Sequence, residues 1–338
     1  RHTGRPCTVA MNYRYTPKYL QVKELLASGV IGHVFQVNWV AGVTLPHGAR
    51  YFHRWHGEKA CSGTLLVHKC CHLFDLVNFW LGSVPRRVYA RGALNIFGPG
   101  HAERLGMAGH GSRCGQCSLT DTCPFYWDTV HQPSANETPD LVCARGDEVG
   151  YYRDKCVFRE EIDTYDTFGV SVEYASGAQL NFGHVTGRQK EHLQFNGVLG
   201  SLELEGSRIH IRRFDGKTET PAARTADGGH GGADPIMYRA LFGSGGRPDT
   251  LGCHADLRDG VWAVLIGLAG VESIENDSVV ELPGGVPVGV PDFAAMPGPG
   301  QAVAAPPLRG ALLGEEAARM ARSKTGTETE KDTFGAEG

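Results

Sequence analysis

A chain of 338 residues, 41% of them hydrophobic, has apolar material for one large core or two medium ones. Its formal charge of −4 with both signs interspersed offers no basic stripe for a phosphate backbone, and the longest strongly apolar run, Val261 to Val271, is too short to cross a bilayer. Nucleic acid and membrane are therefore not expected partners.

The chain opens at Arg1 and enters almost at once the strand-like run Thr8 to Arg14, with no initiator methionine or signal peptide, so it reads as a fragment missing its N-terminus. Thr16 can cap and Pro17 can open a helix through Ser28, with Gly29 as its left-handed stop. Val34 to Val40 alternates apolar Phe35, Val37 and Trp39 with Gln36 and Asn38, the period of a half-buried strand. His47 to His56 reads as a loop rich in histidine, arginine and aromatics.

From Ser62 to Leu81 the spacing predicts one continuous helix. At 3.6 residues per turn His68, His72 and Asp75 share one side, and Leu66, Cys70, Leu73, Phe74, Val77 and Leu81 form an apolar stripe opposite. That pattern suits acid–base chemistry at a cleft; the alternative is a solvated polar face.

Arg87 to Arg91 reads as a strand, and Gly98 to Gly115 as irregular. Phe168 to Tyr174 and Gln179 to His184 form a hairpin, followed by strands at His192 to Phe195, Ser201 to Glu205 and Arg208 to Phe214. Two late helices are expected: Pro235 to Phe242, capped by Asp234, and His254 to Ile274. Beyond Pro283 the composition turns to Pro, Gly, Ala and Val and then to a charged end, a pattern expected to be disordered. The fold class is therefore α+β, an open, mainly antiparallel sheet with helices on one face.

Ten cysteines include Cys114-x2-Cys117-x5-Cys123. One knuckle of this spacing, completed by Cys123 and by Cys156 or Cys143, could hold a structural zinc; reduced thiols and disulfides are the alternatives. A chain with a full-sized core needs no staples, which favours reduced cysteines and a cytoplasmic setting. In the segment from His47 to His56, Arg54, Trp55 and His56 suit a polyhydroxylated substrate, aromatic faces covering C–H surfaces and cationic or imidazole groups bonding hydroxyls; an inter-subunit contact loop is the competing reading. His230 and Asp234 can add to the same cleft.

Asn12-Tyr-Arg-Tyr-Thr-Pro17, Lys23 to Gly32, Ser62-Gly-Thr-Leu-Leu with His72-x2-Asp75, Gly197 to Glu203 and Gly229-His-Gly-Gly-Ala-Asp234, in this order over residues 8 to 282, resemble the Gfo/Idh/MocA oxidoreductases. The resemblance implies a nucleotide-binding Rossmann domain, of which residues 1–15 are the remnant, then a substrate and oligomerisation domain over 16–283 and a tail over 284–338. It implies NAD or NADP as cofactor, a sugar, inositol or related polyol as substrate, and a homo-oligomer. Tyr13 and Arg14 would lie near the nicotinamide, and His72 matches the histidine that exchanges the substrate's hydroxyl proton. His68 stands where relatives usually carry Asp, and with Lys69 it could tune His72. Asp75 matches an aspartate that supports the helix. No Gly-x-Gly-x-x-Gly and no Glu-Lys-Pro segment is present, so most of the dinucleotide site is missing from this sequence. Gly228 to Gly232 follows no parallel strand and reads as a turn. A non-catalytic ligand-binding or oligomerisation domain is the rival function.

Overall fold

The alternating segments assemble into a single sheet. The computed structural model describes residues 7–128, 151–187, 190–243 and 249–283; the tail beyond 283 and Cys143 lie outside them. Nine strands are present among these residues: β1 (Val34–Ala41), β2 (Pro85–Ala93), β3 (Thr167–Tyr174), β4 (Gln179–Val185), β5 (His192–Gly197), β6 (Gly200–Glu205), β7 (Arg208–Arg213), β8 (Thr218–Glu219) and β9 (Val280–Glu281). Their order is β8-β7-β6-β5-β1-β4-β3-β2-β9. β1 runs parallel to β4, with Trp39 opposite Phe182, and every other described pairing is antiparallel. The chain is an α+β domain built on this open mixed sheet.

Among the described residues seven helices accompany it: α1 (Pro17–Ala27), α2 (Leu45–Phe52), α3 (Lys59–Ser62), α4 (Leu65–His68), α5 (Cys71–Leu81), α6 (Gly229–Phe242) and α7 (Leu257–Asn276). Asp256 caps α7 by accepting from Arg258 N and Asp259 N, while Asp259 answers with a bond from Asp256 N. This reciprocal capping box starts the helix three residues later than His254. α7 then packs on β2 and α5, and the apolar face of the sheet, including Trp39, Val172, Leu180 and Phe195, is buried.

Two expectations about local structure are corrected, and the sheet's second face is polar. Thr8 to Arg14 forms no strand: Val9 makes a single bridge to Ala255, and Asn12–Tyr15 is a 3-10 turn whose side chains are drawn into the core. Leu45–Phe52 is a helix where a loop was expected, because Leu45, Ala49 and Phe52 supply an inward face at helical spacing. The sheet face away from the helices is polar. Val170, Val172, Leu180 and Phe182 all point into the core, and the open side is an amide ladder in which Asn38 bonds Gln36, Gln194 and Asn181, and Asn196 bonds Gln36.

The motif from Gly197 to Glu203 is a tight interlock. The β5–β6 turn donates from Val198 N and Leu199 N to His33 O and Ile31 O, and a Cβ at Gly197 would lie 2.2 Å from Ile31 O. α7 carries a second close approach: a Cβ at Gly267 would lie 2.4 Å from Leu66 O, whereas one at Gly270 would meet Leu66 Cδ1 at an ordinary 3.5 Å. We expect Gly267→Ala to destabilise the fold by about 1–3 kcal/mol. Gly270→Ala should be neutral or stabilise by up to about 1 kcal/mol. Urea denaturation midpoints of the two variants check the opposite signs.

Candidate functional site

The predicted single helix from Ser62 to Leu81 is broken, and the break shapes the site. Gly63 is left-handed and Thr64 has φ 75°, its hydroxyl capping Leu66 N. At the far end of α4 the Cys70 N–H reaches back to Leu65 O, bypassing Leu66, whose carbonyl lies where Gly267 approaches. His68 and His72 therefore belong to different helices and face different neighbours, and the shared polar face does not form.

His72, at the start of α5, is stacked on Tyr13 at 5.1 Å between ring centroids. Tyr13 also meets His230 at 6.0 Å. His230 sits at φ 53°, a left-handed conformation that costs energy for a residue with a Cβ. It is held there by Asp234, whose Oδ2 is 2.7 Å from His230 Nδ1, while Asn12 Nδ2 donates to Asp234 Oδ1 at 3.1 Å. Asp234 is thus spent on fixing the imidazole rather than on capping a helix. Asn12 is a partner that sequence reasoning missed, since nothing in the order of residues joins it to position 234.

His68 faces a second cluster. Its ring lies 4.9 Å from His56 and 5.4 Å from Tyr51. His56 stacks on half-exposed Trp55 at 3.8 Å, and its carbonyl accepts from Ser62 Oγ at 3.0 Å. Burial, then the charges of His68, Arg54, Arg153 and Lys69, push the His56 pKa down to about 2. His56 is a neutral imidazole. Tyr51, at the centre of this group, also approaches His47; its role had no signal beyond helical spacing from His47.

Lys69 is buried, not solvent-facing, and its ammonium lies 5.8 Å from the Tyr51 ring centroid. Burial, and secondarily Lys69, lowers the pKa of His184 to about 4. His184 on β4 is stacked against Phe168 at 4.7 Å, and it too escaped the sequence reading because it sits at an ordinary inward strand position. Arg54 is also buried, donating from Nε to Arg50 O at 2.9 Å.

Arg14 is committed internally. Its Nε and Nη2 donate to the two oxygens of buried Asp75 at 2.8 and 2.7 Å, with Asp259 a further 3.4 Å contact. Burial opposes the charge, but the hydrogen bond and pairing with Asp75 hold the Arg14 pKa above the ordinary arginine value. Asp75 supports the helix through this arginine.

The residues expected near a nicotinamide, Tyr13 and Arg14, are both engaged within the domain. Tyr13 is enclosed by aromatic rings and Arg14 is occupied by Asp75. The Gly228 to Gly232 turn is filled by its own chain, since a Cβ at Gly232 would lie 2.6 Å from Ala226. The zinc expectation at Cys114, Cys117, Cys123 and Cys156 is likewise not supported: among the described residues no group of three or more His, Cys, Asp or Glu side chains is placed to hold a metal ion. The nine described cysteines are free thiols, and no described helix is long and apolar enough to cross a membrane.

Comparison with known proteins agrees with this fold. The model of the oxidoreductase family, C-terminal alpha/beta domain, matches residues 23–282. The protein named YteT of Bacillus subtilis (strain 168) is 37% identical over 257 residues, which is 70% of this chain and 59% of that protein. Among solved structures, levoglucosan dehydrogenase in complex with NADH and levoglucosan superposes with a TM-score of 0.54 at 16% identity, over 81% of this chain and 65% of the other. The aldose–aldose oxidoreductase from Caulobacter crescentus complexed with glycerol gives 0.51 at 14% identity, over 83% and 65%. The chain thus spans about three-fifths of the length of YteT.

The buried neutral histidines predict a pH dependence. His184 binds a proton more weakly in the folded chain than in the unfolded one, so its stabilising contribution is complete above about pH 6.5 and is lost as pH falls towards 4. The loss over that window is about 3 kcal/mol, and His56 extends it to lower pH. Denaturation series from pH 7 to 4 should show the decline, and His184→Gln should flatten it.

Proposed function

Because the chain belongs to the Gfo/Idh/MocA oxidoreductases, matching their C-terminal domain, we propose that it is the substrate-binding part of an NAD(P)-dependent dehydrogenase acting on a sugar, inositol or related polyol. The observation that carries this reading is the convergence of two imidazoles on one enclosed tyrosine, Tyr13: His72 stacked on it, and His230, fixed by Asp234, tilted against it. NAD or NADP is the electron acceptor in this reading, with Tyr13 and Arg14 the residues assigned nearest to it.

Oxidation of a carbinol carbon releases the hydroxyl proton, and His72 is the group we assign to accept it. An imidazole suits this step because its ordinary pKa is near neutrality, where both proton uptake and release are accessible. The ring stacking on Tyr13 fixes its plane, which is the orientation a base needs before substrate arrives. His230, held by Asp234, is the group we assign to bond a neighbouring hydroxyl. Around His56 the rings of Trp55 and Tyr51 provide apolar faces for sugar C–H surfaces, and the neutral imidazole can accept as well as donate. The buried Lys69 adds a positive charge beside this group, favouring an electron-rich oxygen over a second cation. Levoglucosan and glycerol, the ligands named for two fold relatives, belong to the same polyhydroxylated class.

In the dinucleotide-binding enzyme that contains this chain, His72→Ala should lower turnover by roughly 10²–10⁴-fold, and His68→Ala should cost less. Near wild-type turnover with an unchanged pH profile in His72→Ala would sink the assignment. The described residues alone should show no NAD or NADP binding at micromolar concentrations by calorimetry.

We further place a homo-oligomer contact on the open amide face of the sheet, whose Gln36, Asn38, Gln194 and Asn196 are half-buried and mutually bonded. A preorganised polar ladder loses little side-chain entropy when a second copy covers it. Light scattering of this chain should give at least a dimer mass, and Asn38→Arg should shift it to monomer. A monomer mass for the unaltered chain would count against this face.

A further inference from the structure

The turn that opens α6 is built around one carboxylate. Gly228, His230, Gly231 and Gly232 all have φ between 53° and 119°, and a Cβ at Gly229 would lie 2.4 Å from Asp234 Oδ2. Glycine at 229 leaves the space that the carboxylate fills. His230 is the one residue of this left-handed run with a Cβ, so its backbone is held where glycine sits freely and histidine does not. What its side chain gains there is the 2.7 Å bond between Nδ1 and Asp234 Oδ2.

That bond sets the tautomer. An ionised carboxylate only accepts, so the ring proton lies on Nδ1, and a neutral imidazole protonated at Nδ1 presents Nε2 as an acceptor. Among the described residues no group bonds Nε2, and 20% of the His230 side chain is exposed. The open acceptor belongs to a ring tilted against Tyr13, on which His72 stacks.

Asn12 completes the arrangement. It is buried, and its Nδ2 donates to Asp234 Oδ1 at 3.1 Å. The amide cannot be turned the other way, because its oxygen would then face a carboxylate with no proton to offer. In this orientation Asn12 Oδ1 is buried without a partner, which costs stability. A residue selected for stability alone would be apolar here or bonded at both ends. Asn12 instead supplies Asp234 with a second anchor, and a carboxylate engaged at both oxygens keeps its orientation towards the imidazole.

We propose that Asn12 and Asp234 are positioning residues that lock His230 as a hydrogen-bond acceptor, and that His230 thereby selects a substrate with a free hydroxyl beside the carbon being oxidised. The inference rests on the polyol reading and adds the direction of the bond: the substrate hydroxyl donates and Nε2 accepts. An ether oxygen or a deoxy carbon at that place has no proton to give, and it would leave Nε2 unpaired once water is displaced. Sites built to bond a substrate hydroxyl discriminate strongly against analogues that lack it, because their own polar groups are then stranded.

The test has two arms. Long-range proton–nitrogen NMR correlations of this chain at about pH 8, where an unperturbed histidine is neutral, are assigned with His230→Gln and should show His230 as a single Nδ1–H tautomer. This arm needs neither cofactor nor substrate. Asp234→Asn should bring in the Nε2–H form, since an amide can donate as well as accept, and Asn12→Ala should do so to a smaller extent. An Nε2–H majority in the unaltered chain would overturn the lock, and so would a tautomer unmoved in both folded variants. The second arm uses the dinucleotide-binding enzyme that contains this chain, with glucose, levoglucosan and myo-inositol as probes. For a probe that is oxidised, the methyl ether at the adjacent hydroxyl should lose roughly 10²-fold or more in kcat/KM. His230→Gln, whose amide can donate to an ether oxygen, should narrow that gap by about tenfold or more. Equal kcat/KM for hydroxyl and ether, or a gap unchanged in His230→Gln, would overturn the selectivity while the polyol reading stands. If no probe is oxidised and the unaltered chain shows the Nδ1–H tautomer, the polyol reading is what fails and the lock is supported by the spectrum.

Discussion

The buried pair of Arg14 and Asp75 is the constraint on which the arrangement of His72 depends. Both groups are almost wholly removed from solvent, and both Asp75 oxygens are engaged by the guanidinium. Two ions taken out of water recover their desolvation cost only when geometry is tight and the remaining lone pairs are used, and a bidentate arginine meets that condition. The pair joins the 3-10 turn of residues 12–15 to α5. Tyr13 is the residue before Arg14, and His72 lies one turn before Asp75, so the ion pair fixes how those two rings stack. Breaking one partner would leave the other charged and buried, a cost of about 3–5 kcal/mol. The stacking at the site is thereby tied to one of the more costly interactions to disturb in the domain.

Around that clamp burial, rather than an acidic partner, keeps His56 and His184 neutral. His56 and His184 both lose proton affinity as water is excluded, and Lys69 strengthens the effect on each. His230, by contrast, has a carboxylate, that of Asp234, bonded directly to its ring. The domain therefore offers imidazoles in two environments, one carboxylate-fixed and the others set among rings beside a cation. Separated environments allow chemically identical groups to take different parts in proton transfer.

Much of the sheet was legible in the sequence because its strands alternate cleanly: Val170, Val172 and Tyr174 inward against Ser171 and Glu173 outward can be satisfied on only one register. The hairpin of β3 and β4, helix α1 and the late pair of helices follow the same local rules. The break at Lys69 was not legible, since helical spacing through His68, His72 and Asp75 is intact in the sequence and the interruption comes from α7, which approaches Leu66 at Gly267 two hundred residues on. The helix at Leu45–Phe52 was hidden for the opposite reason: its histidine and arginine content suggested a binding loop, while the inward Ala49 and Phe52 carried the deciding signal. At the site, His72, His68, His230 and Asp234 were visible as residue types, but Tyr51, His184 and Asn12 acquire their places only through tertiary contacts.

The same break explains how a lysine can be buried at the centre of the histidine cluster. In a continuous helix from 62 to 81, residue 69 would lie 100° from His68 and 60° from His72, between the polar side and the apolar stripe. With Cys70 bonded back to Leu65 and a new helix beginning at Cys71, the intervening residue turns inward towards the Tyr51 ring and into electrostatic reach of His56 and His184. The ammonium is then a fixed positive charge inside the histidine cluster. A site organised around a buried cation favours oxygen atoms with negative character, whereas one organised around a carboxylate favours the imidazolium. The close packing of Gly267 against Leu66 is thus a structural cause of the electrostatic character of the site, some distance from any residue that would touch a substrate.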